Sequence, residues 1–154
     1  MDLSDLVVAE GVLPNLKASS KKQSLQVLAA RAAELFDLEE RTVLDLLMER
    51  ERLGTTGVGN GVGIPHAKVP GLEKPCGLFA RLDGSVDFDA IDDQAVDLVF
   101  LLLAPEGAGA DHLKALARVS RMFRNKTLCE KLRASREKQA IFALLSEPAE
   151  HHAA

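Results

Sequence analysis

Tryptophan and tyrosine are both missing from the chain, and six phenylalanines are its whole complement of large aromatic side chains. Platforms on which nucleic-acid bases stack are therefore scarce. No run of lysine or arginine is longer than the pair Lys21-Lys22 and the formal net charge is −4, so the basic footprint expected of a nucleic-acid partner's binder is missing as well. Cysteine is nearly absent. Cys76 and Cys129 stand far apart with neither CxxC nor Cys/His ligand spacing around them, and both are expected to be reduced, buried thiols. Long apolar runs are lacking too: the longest, Leu98 to Pro105, falls well short of the roughly 20 residues a helix needs to cross a bilayer. The N-terminal MDLSDLVVAEGVLPNL starts acidic and has no cationic signal-peptide region. No membrane insertion and a cytoplasmic location are expected.

Several ligand motifs are absent. Gly57-x-Gly59 is followed by Val62 where G-x-G-x-x-G requires its third glycine, and no Gly-Lys-Ser/Thr occurs, which disfavours a nucleotide pocket. His66, His112 and a carboxylate show no HExxH or paired-ligand spacing for zinc. Asp87, Asp89, Asp92 and Asp93 fit no calcium loop and are read as turn-forming carboxylates. Neither a metal nor a cofactor is expected.

What is present is the composition of an ordinary globular protein. The chain has 154 residues, of which 47% are hydrophobic and 27% charged, too apolar a mixture for disorder. A domain near this length buries roughly 68–70% of the surface its unfolded chain exposes, enough for a real core. No repeat, low-complexity tract or linker divides the chain. One domain over residues 1–146 is expected, followed by a flexible tail over 147–154 that includes His151 and His152.

Ser20 to Gln23 reads as a capping box, and Leu25, Leu28, Ala29, Ala32, Leu35 and Phe36 then recur at helical spacing. Asp37 is expected to cap a second helix, lined by Val43, Leu44, Leu47 and Met48 and stopped by Gly54, with Arg50 and Arg52 in its last turn. In TTGVGNGVGIPHAKVPG regular helix is improbable, because five of the eleven glycines fall between Gly54 and Gly63; short extended pieces joined by tight turns are expected. Cys76 to Leu82 predicts a strand ended by the turn signal Asp83-Gly84, and Val96 to Leu103 a fully buried strand. Asp111 is expected to cap a helix with Leu113, Leu116, Ala117, Ser120 and Phe123 on one face. Asn125 is expected to cap a short helix through Leu132, and a last helix runs about Arg136 to Leu145. Helices first, strands in the middle and helices last predict an α/β fold, a mixed β-sheet covered by helices on both faces.

The chemically suggestive feature is His66, placed directly after the glycine-rich stretch and Pro65. Each glycine costs roughly 0.5–1 kcal/mol relative to alanine in regular structure, a loss that close approach to a ligand or partner can offset. A neutral imidazole is a competent nucleophile toward phosphorus near neutral pH, since its unperturbed pKa is about 6.5. Phosphoryl transfer spreads charge over three oxygens, so the protein has mainly to supply position and donors. Arg50 and His112, the latter beginning a helix whose first turn favours an anion, are the available sources. Pro65 stiffens the approach by fixing its own φ.

The segment RERLGTTGVGNGVGIPHAK (Arg50 to Lys68), VDFDAIDDQAVDLVFLLLAPE (Val86 to Glu106) and the start of the helix DHLKALARVSRMF together resemble enzyme IIA of the bacterial phosphotransferase system, fructose/mannitol class. The N-terminal SKKQSLQVLAARAAELFDL resembles its nitrogen-regulatory branch, and the similarity runs from about Leu3 to Leu145. The resemblance implies that His66 is the phosphorylated histidine, that Arg50 lies against it, and that His112 is the second histidine of the site. It further implies that Gly59, Asn60, Gly61 and Pro65 belong to the loop shaping the phosphoryl pocket. Here Ala67 stands where the family more often has glycine, and Gly63 where alanine is common. The implied function is a phosphoryl carrier loaded by a phosphorylated HPr-like protein, regulating other protein targets within a nitrogen-type phosphotransferase system. The alternative is a sugar-specific IIA subunit that passes its phosphoryl group to a IIB permease component.

Overall fold

The structure is a computed structural model that describes residues 3–147. A six-stranded mixed sheet carries helices on both faces. Strands β1 (Val12–Leu16), β5 (Cys76–Val86), β6 (Val96–Pro105), β3 (Val62–Gly63) and β2 (Gly57–Gly59) lie in that spatial order, and β4 (His66–Val69) pairs with β6 farther along the edge that β3 occupies. β5 runs antiparallel to β6, while β3 and β4 run parallel to it.

The apolar run expected to be a buried strand is β6, and its alternation divides the core in two. Leu98, Phe100 and Leu102 face helices α3 (Ala110–Phe123), α4 (Lys126–Ala134) and α5 (Lys138–Ser146), together with the short 3-10 turn Leu3–Asp5. Val99, Leu101 and Leu103 face α1 (Lys21–Phe36) and α2 (Glu40–Leu53). A strand covered on both faces needs no polar residue at either parity, which explains a continuous apolar sequence. Each such side chain contributes about 1.5–3 kcal/mol through burial.

Local chemistry sets most element ends. Ser20 caps α1 by accepting from the Gln23 amide at 3.1 Å, while the Gln23 side chain takes the Ser19 amide at 2.6 Å, so the reciprocal half of the box is displaced by one residue. Asn125 caps α4 by accepting from the Leu128 amide at 3.0 Å. Both cysteines are free and buried; burial pushes the Cys76 thiol up to about 12 and raises Cys129 as well. The aspartates between β5 and β6 do turn work: Asp87 accepts from the Asp89 amide, and Asp92 from those of Asn60 and Gln94. No group of acidic, histidine or cysteine side chains among the described residues could hold a metal ion, and no described helix is long and apolar enough to cross a membrane.

Several expectations are corrected. A strand, β1, precedes the helices; VLPNL carries too few residues, and a proline, for its alternation to stand out, and Pro14 is tolerated because β1 is an edge strand. Asp37 does not cap α2. It ends α1 in the left-handed region (φ 55°), its amide bonded to the Ala33 carbonyl, and α2 starts after Glu39 instead. Asp83-Gly84 does not end β5, which continues to Val86 with an irregularity in its pairing to β6 between Arg81 and Val86. Asp111 lies inside α3, whose cap position is Gly109. The inward face of α3 is His112, Ala115, Val119, Met122 and Phe123, so Leu113 and Ala117 point to solvent. Both stripes fit helical periodicity, and only contact with the sheet chooses between them. Of the expected C-terminal tail, Glu147 directly follows α5 and residues 148–154, with His151 and His152, lie outside the described residues.

The glycine-rich stretch folds as expected into short strands and a tight turn. Asn60 and Gly61 both have positive φ (56° and 79°), the primed geometry that joins β2 to β3. A Cβ on Gly61 would lie 2.5 Å from the Arg133 guanidinium and 2.9 Å from the Asp97 carboxylate. Gly61→Ala is therefore expected to lower stability by about 1–3 kcal/mol in urea denaturation; an unchanged midpoint would show that this turn tolerates a side chain.

Candidate functional site

Pairing with β6 determines where the glycine-rich stretch delivers its histidine. Val62 is opposite Leu98 and His66 opposite Leu102, so His66 lies four residues, or about 13 Å, along β6 from the hairpin. Within β4, Ala67 and Val69 turn to the α1–α2 core, which leaves His66 and Lys68 on the opposite side. There the half-buried His66 ring meets His112, the third residue of α3, with ring centroids 5.7 Å apart and planes inclined by 45°. The last turn of α2 brings Glu49, Arg50 and Leu53 to the same open cleft of about 480 Å³, completed by Leu46, Ala67 and Lys68.

The hydrogen bonding of His66 determines which ring nitrogen is available. Nδ1 lies 2.8 Å from the Ile64 carbonyl oxygen. A carbonyl can only accept, so Nδ1 carries the proton and Nε2 keeps its lone pair. Burial lowers the His66 pKa from 6.5, and the nearby Arg50 cation lowers it further; the Ile64 bond and the Glu51 anion work in the opposite direction. Burial lowers His112 as well, helped by the repulsion it would meet from His66, were both rings protonated, and from the Lys68 cation. Both rings are thus neutral at pH 7. His112 is only 8% exposed, and its buried Nδ1 has no hydrogen-bond partner among the described residues. An unmet buried nitrogen costs about 1–3 kcal/mol.

Arg50 is held at the cleft by its Nη1, which donates to the Gly54 carbonyl at 3.0 Å where the chain leaves α2. His66, Arg50 and His112 are therefore brought together from three separate elements. The other loop residues are not. Asn60 and Gly61 line a different cavity, beside Asp97 and Arg133, and the Asn60 carbonyl accepts from Arg133 Nη2 at 2.6 Å. Gly59 ends β2 against Asp92. Pro65 is buried directly before His66, and its carbonyl accepts from the Leu102 amide at 3.0 Å. In this structure the residues expected to form the pocket loop shape the strands that carry His66, because parallel pairing with β6 carries the chain away from the hairpin before His66 is reached.

Sequence reasoning missed Glu51 and Thr56. The buried Glu51 carboxylate accepts from the Thr56 amide at 3.3 Å and from its hydroxyl, and pairs with Lys21 Nζ at 3.2 Å. Its signal was available: Val43, Leu47 and Glu51 recur at intervals of four along the buried stripe of α2, and a carboxylate in such a stripe needs partners. Leu53 and Leu113, at 82% and 66% exposed, stand beside Arg50 and His112 as large apolar side chains facing water.

The low His66 pKa has a testable sign. In an NMR titration His66 is expected to protonate below pH 6.5, and Arg50→Ala is expected to move its midpoint upward, since a neighbouring cation has been removed. A downward or absent shift would place Arg50 away from the ring.

Known proteins resemble this chain along nearly its whole length. The family described as "Phosphoenolpyruvate-dependent sugar phosphotransferase system, EIIA 2" matches residues 6–147. A nitrogen regulatory protein of Bradyrhizobium diazoefficiens is 62% identical over 148 residues, covering 96% of this chain and 97% of its own length. The crystal structure of nitrogen regulatory protein IIA-Ntr from Neisseria meningitidis superposes with a TM-score of 0.87 at 31% identity, covering 93% of this chain and 98% of that one. The IIA mannitol structure from Escherichia coli shares the fold, with a TM-score of 0.76 at 19% identity over 90% of this chain and 98% of that one.

Proposed function

This chain belongs to the EIIA 2 family of the phosphoenolpyruvate-dependent sugar phosphotransferase system, in its nitrogen-regulatory branch, and from that premise we propose that it carries a phosphoryl group on Nε2 of His66. The membership makes it a phosphoryl carrier of a nitrogen-type system, and the sugar-specific alternative has less support. The observation that carries the atomic reading is the Nδ1–Ile64 hydrogen bond, which leaves Nε2 as the only ring nitrogen with a lone pair to give.

The donor is a phosphohistidine protein of the HPr-like class. As the His66 Nε2–P bond forms, the donor's P–N bond breaks and its electron pair stays with the donor nitrogen. The donor ring, protonated at its other nitrogen, leaves neutral. His66 keeps its Nδ1 proton and becomes a cationic phosphoimidazole, which strengthens the bond to the Ile64 carbonyl. Arg50 neutralises charge on the transferring oxygens, and His112 supplies a ring N–H from the first turn of α3. Both histidines being neutral serves the reaction: a protonated His66 has no lone pair to attack with. The exposed Leu53 and Leu113 give a protein donor an apolar contact beside the cleft. The outcome of loading is regulation of protein targets by the phosphorylation state.

Incubation with a phosphorylated HPr-like carrier and intact-mass measurement tests the reading. A mass gain of one phosphoryl group is expected, acid-labile and base-stable, and lost completely in His66→Ala; normal labelling of that variant would end the proposal. Arg50→Ala and His112→Ala are each expected to slow transfer by about 10²-fold with the fold retained. A wild-type rate in either removes that residue from the site.

A further inference from the structure

Outside the residues already assigned, one buried ionic group is tied to the backbone that carries the reactive ring. Glu51 is the residue after Arg50, and its side chain turns inward from the last turn of α2, only 4% exposed. Lys21 Nζ, from the first turn of α1, donates to it at 3.2 Å. The Thr56 amide lies 3.3 Å from each carboxylate oxygen, and the Thr56 hydroxyl also bonds to it. The Thr56 carbonyl accepts from the Ile64 amide at 2.9 Å. The Ile64 carbonyl accepts from His66 Nδ1 at 2.8 Å. Thr56 and Ile64 are thus each held by both backbone groups, Thr56 between Glu51 and Ile64 and Ile64 between Thr56 and the ring.

We propose that Glu51 is a positioning residue for His66, holding the Ile64 carbonyl under Nδ1 through Thr56 and so selecting the tautomer whose Nε2 is free. The proposal rests on His66 being the phosphoryl acceptor. Its physical basis is position: the carboxylate fixes Thr56, Thr56 fixes Ile64, and the Ile64 carbonyl is thereby held under the ring, while the Glu51 charge acts on the imidazole through space. The demand is greatest in the loaded state, when the ring has become cationic and the Nδ1–H bond is charge-assisted. The arrangement parallels metal sites, where a group bonded to the second ring nitrogen sets the tautomer and orientation of the first. Lys21 offsets the cost of burying the carboxylate, with Asp89 3.5 Å away on its other side.

The charged and titratable groups around the His66 ring are Glu49, Arg50 and Glu51 from α2, His112 from α3 and Lys68 within β4. Of these, Glu51 is the anion identified as raising the His66 pKa, so neutralising it moves the midpoint downward.

The test uses the full chain carrying Glu51→Gln, which keeps the shape and removes the charge. Nitrogen-15 NMR of the unphosphorylated protein reads the His66 tautomer and its pKa, and transfer from a phosphorylated HPr-like carrier reads the rate. A reduced Nδ1–H population, a lower midpoint and transfer slowed by about tenfold are expected, the lower end of what losing a histidine-orienting partner costs in metal sites. Should the unpaired Lys21 prevent folding, Lys21→Met combined with Glu51→Gln removes both charges and carries the same measurements. Wild-type tautomer and midpoint overturn the proposal, and so does slowed transfer with both unchanged, which would make Glu51 purely structural. If the unaltered protein takes no phosphoryl group on His66, the functional reading fails by itself, and the tautomer and pKa still decide the role of Glu51.

Discussion

Strand β6 is hydrogen-bonded along both edges and covered on both faces, and the position of every catalytic candidate follows from that double constraint. Antiparallel β5 closes one edge. On the other, β3 and then β4 add in parallel, so the glycine-rich stretch is threaded along β6 instead of looping away from it. The register His66 to Leu102 puts the imidazole where β4 is itself unpaired on its outer side among the described residues. A histidine one residue later would have entered the α1–α2 core with Ala67, because side chains alternate along a strand. The glycines serve this threading: on Gly63 a Cβ would sit 3.1 Å from the Phe88 ring, and on Gly57 2.9 Å from Ala90.

Around the ring the fold sets opposing influences against one another. Burial and a guanidinium lower the pKa of the imidazole, while the Ile64 carbonyl that accepts from Nδ1 and the nearby Glu51 anion act in the opposite direction. The balance leaves the ring neutral, with its proton on Nδ1 and a lone pair on Nε2. The two histidines meet across an interface between sheet and helix, so neither element alone contains the site.

Much of the architecture was legible because local physics and tertiary packing agree. The apolar run of β6, the Ser20 and Asn125 caps, the Gly54 stop and the Asn60-Gly61 turn each appear where residue chemistry places them. Failures occurred where local signals were degenerate. Asp37 is as suited to a left-handed end as to a cap, Asp83-Gly84 passes as easily through an irregular strand as around a turn, and β1 is too short to show alternation. Of the candidate site, His66, Arg50 and His112, named through their resemblance to a family, come together in one cleft. Asn60 and Gly61 line another cavity, since nearness in sequence to His66 does not survive threading along β6.

The sequence by itself determined the residue types needed for phosphoryl chemistry, the family to which their blocks belong, and the two-faced core, because composition and periodicity are properties of the chain alone. Tertiary structure decided the face of α3 that carries His112, the ring nitrogen left free on His66, and the inward turn of Glu51. Those three depend on groups that are distant along the chain, and no local propensity can specify a hydrogen bond or a buried face whose partner arrives only on folding.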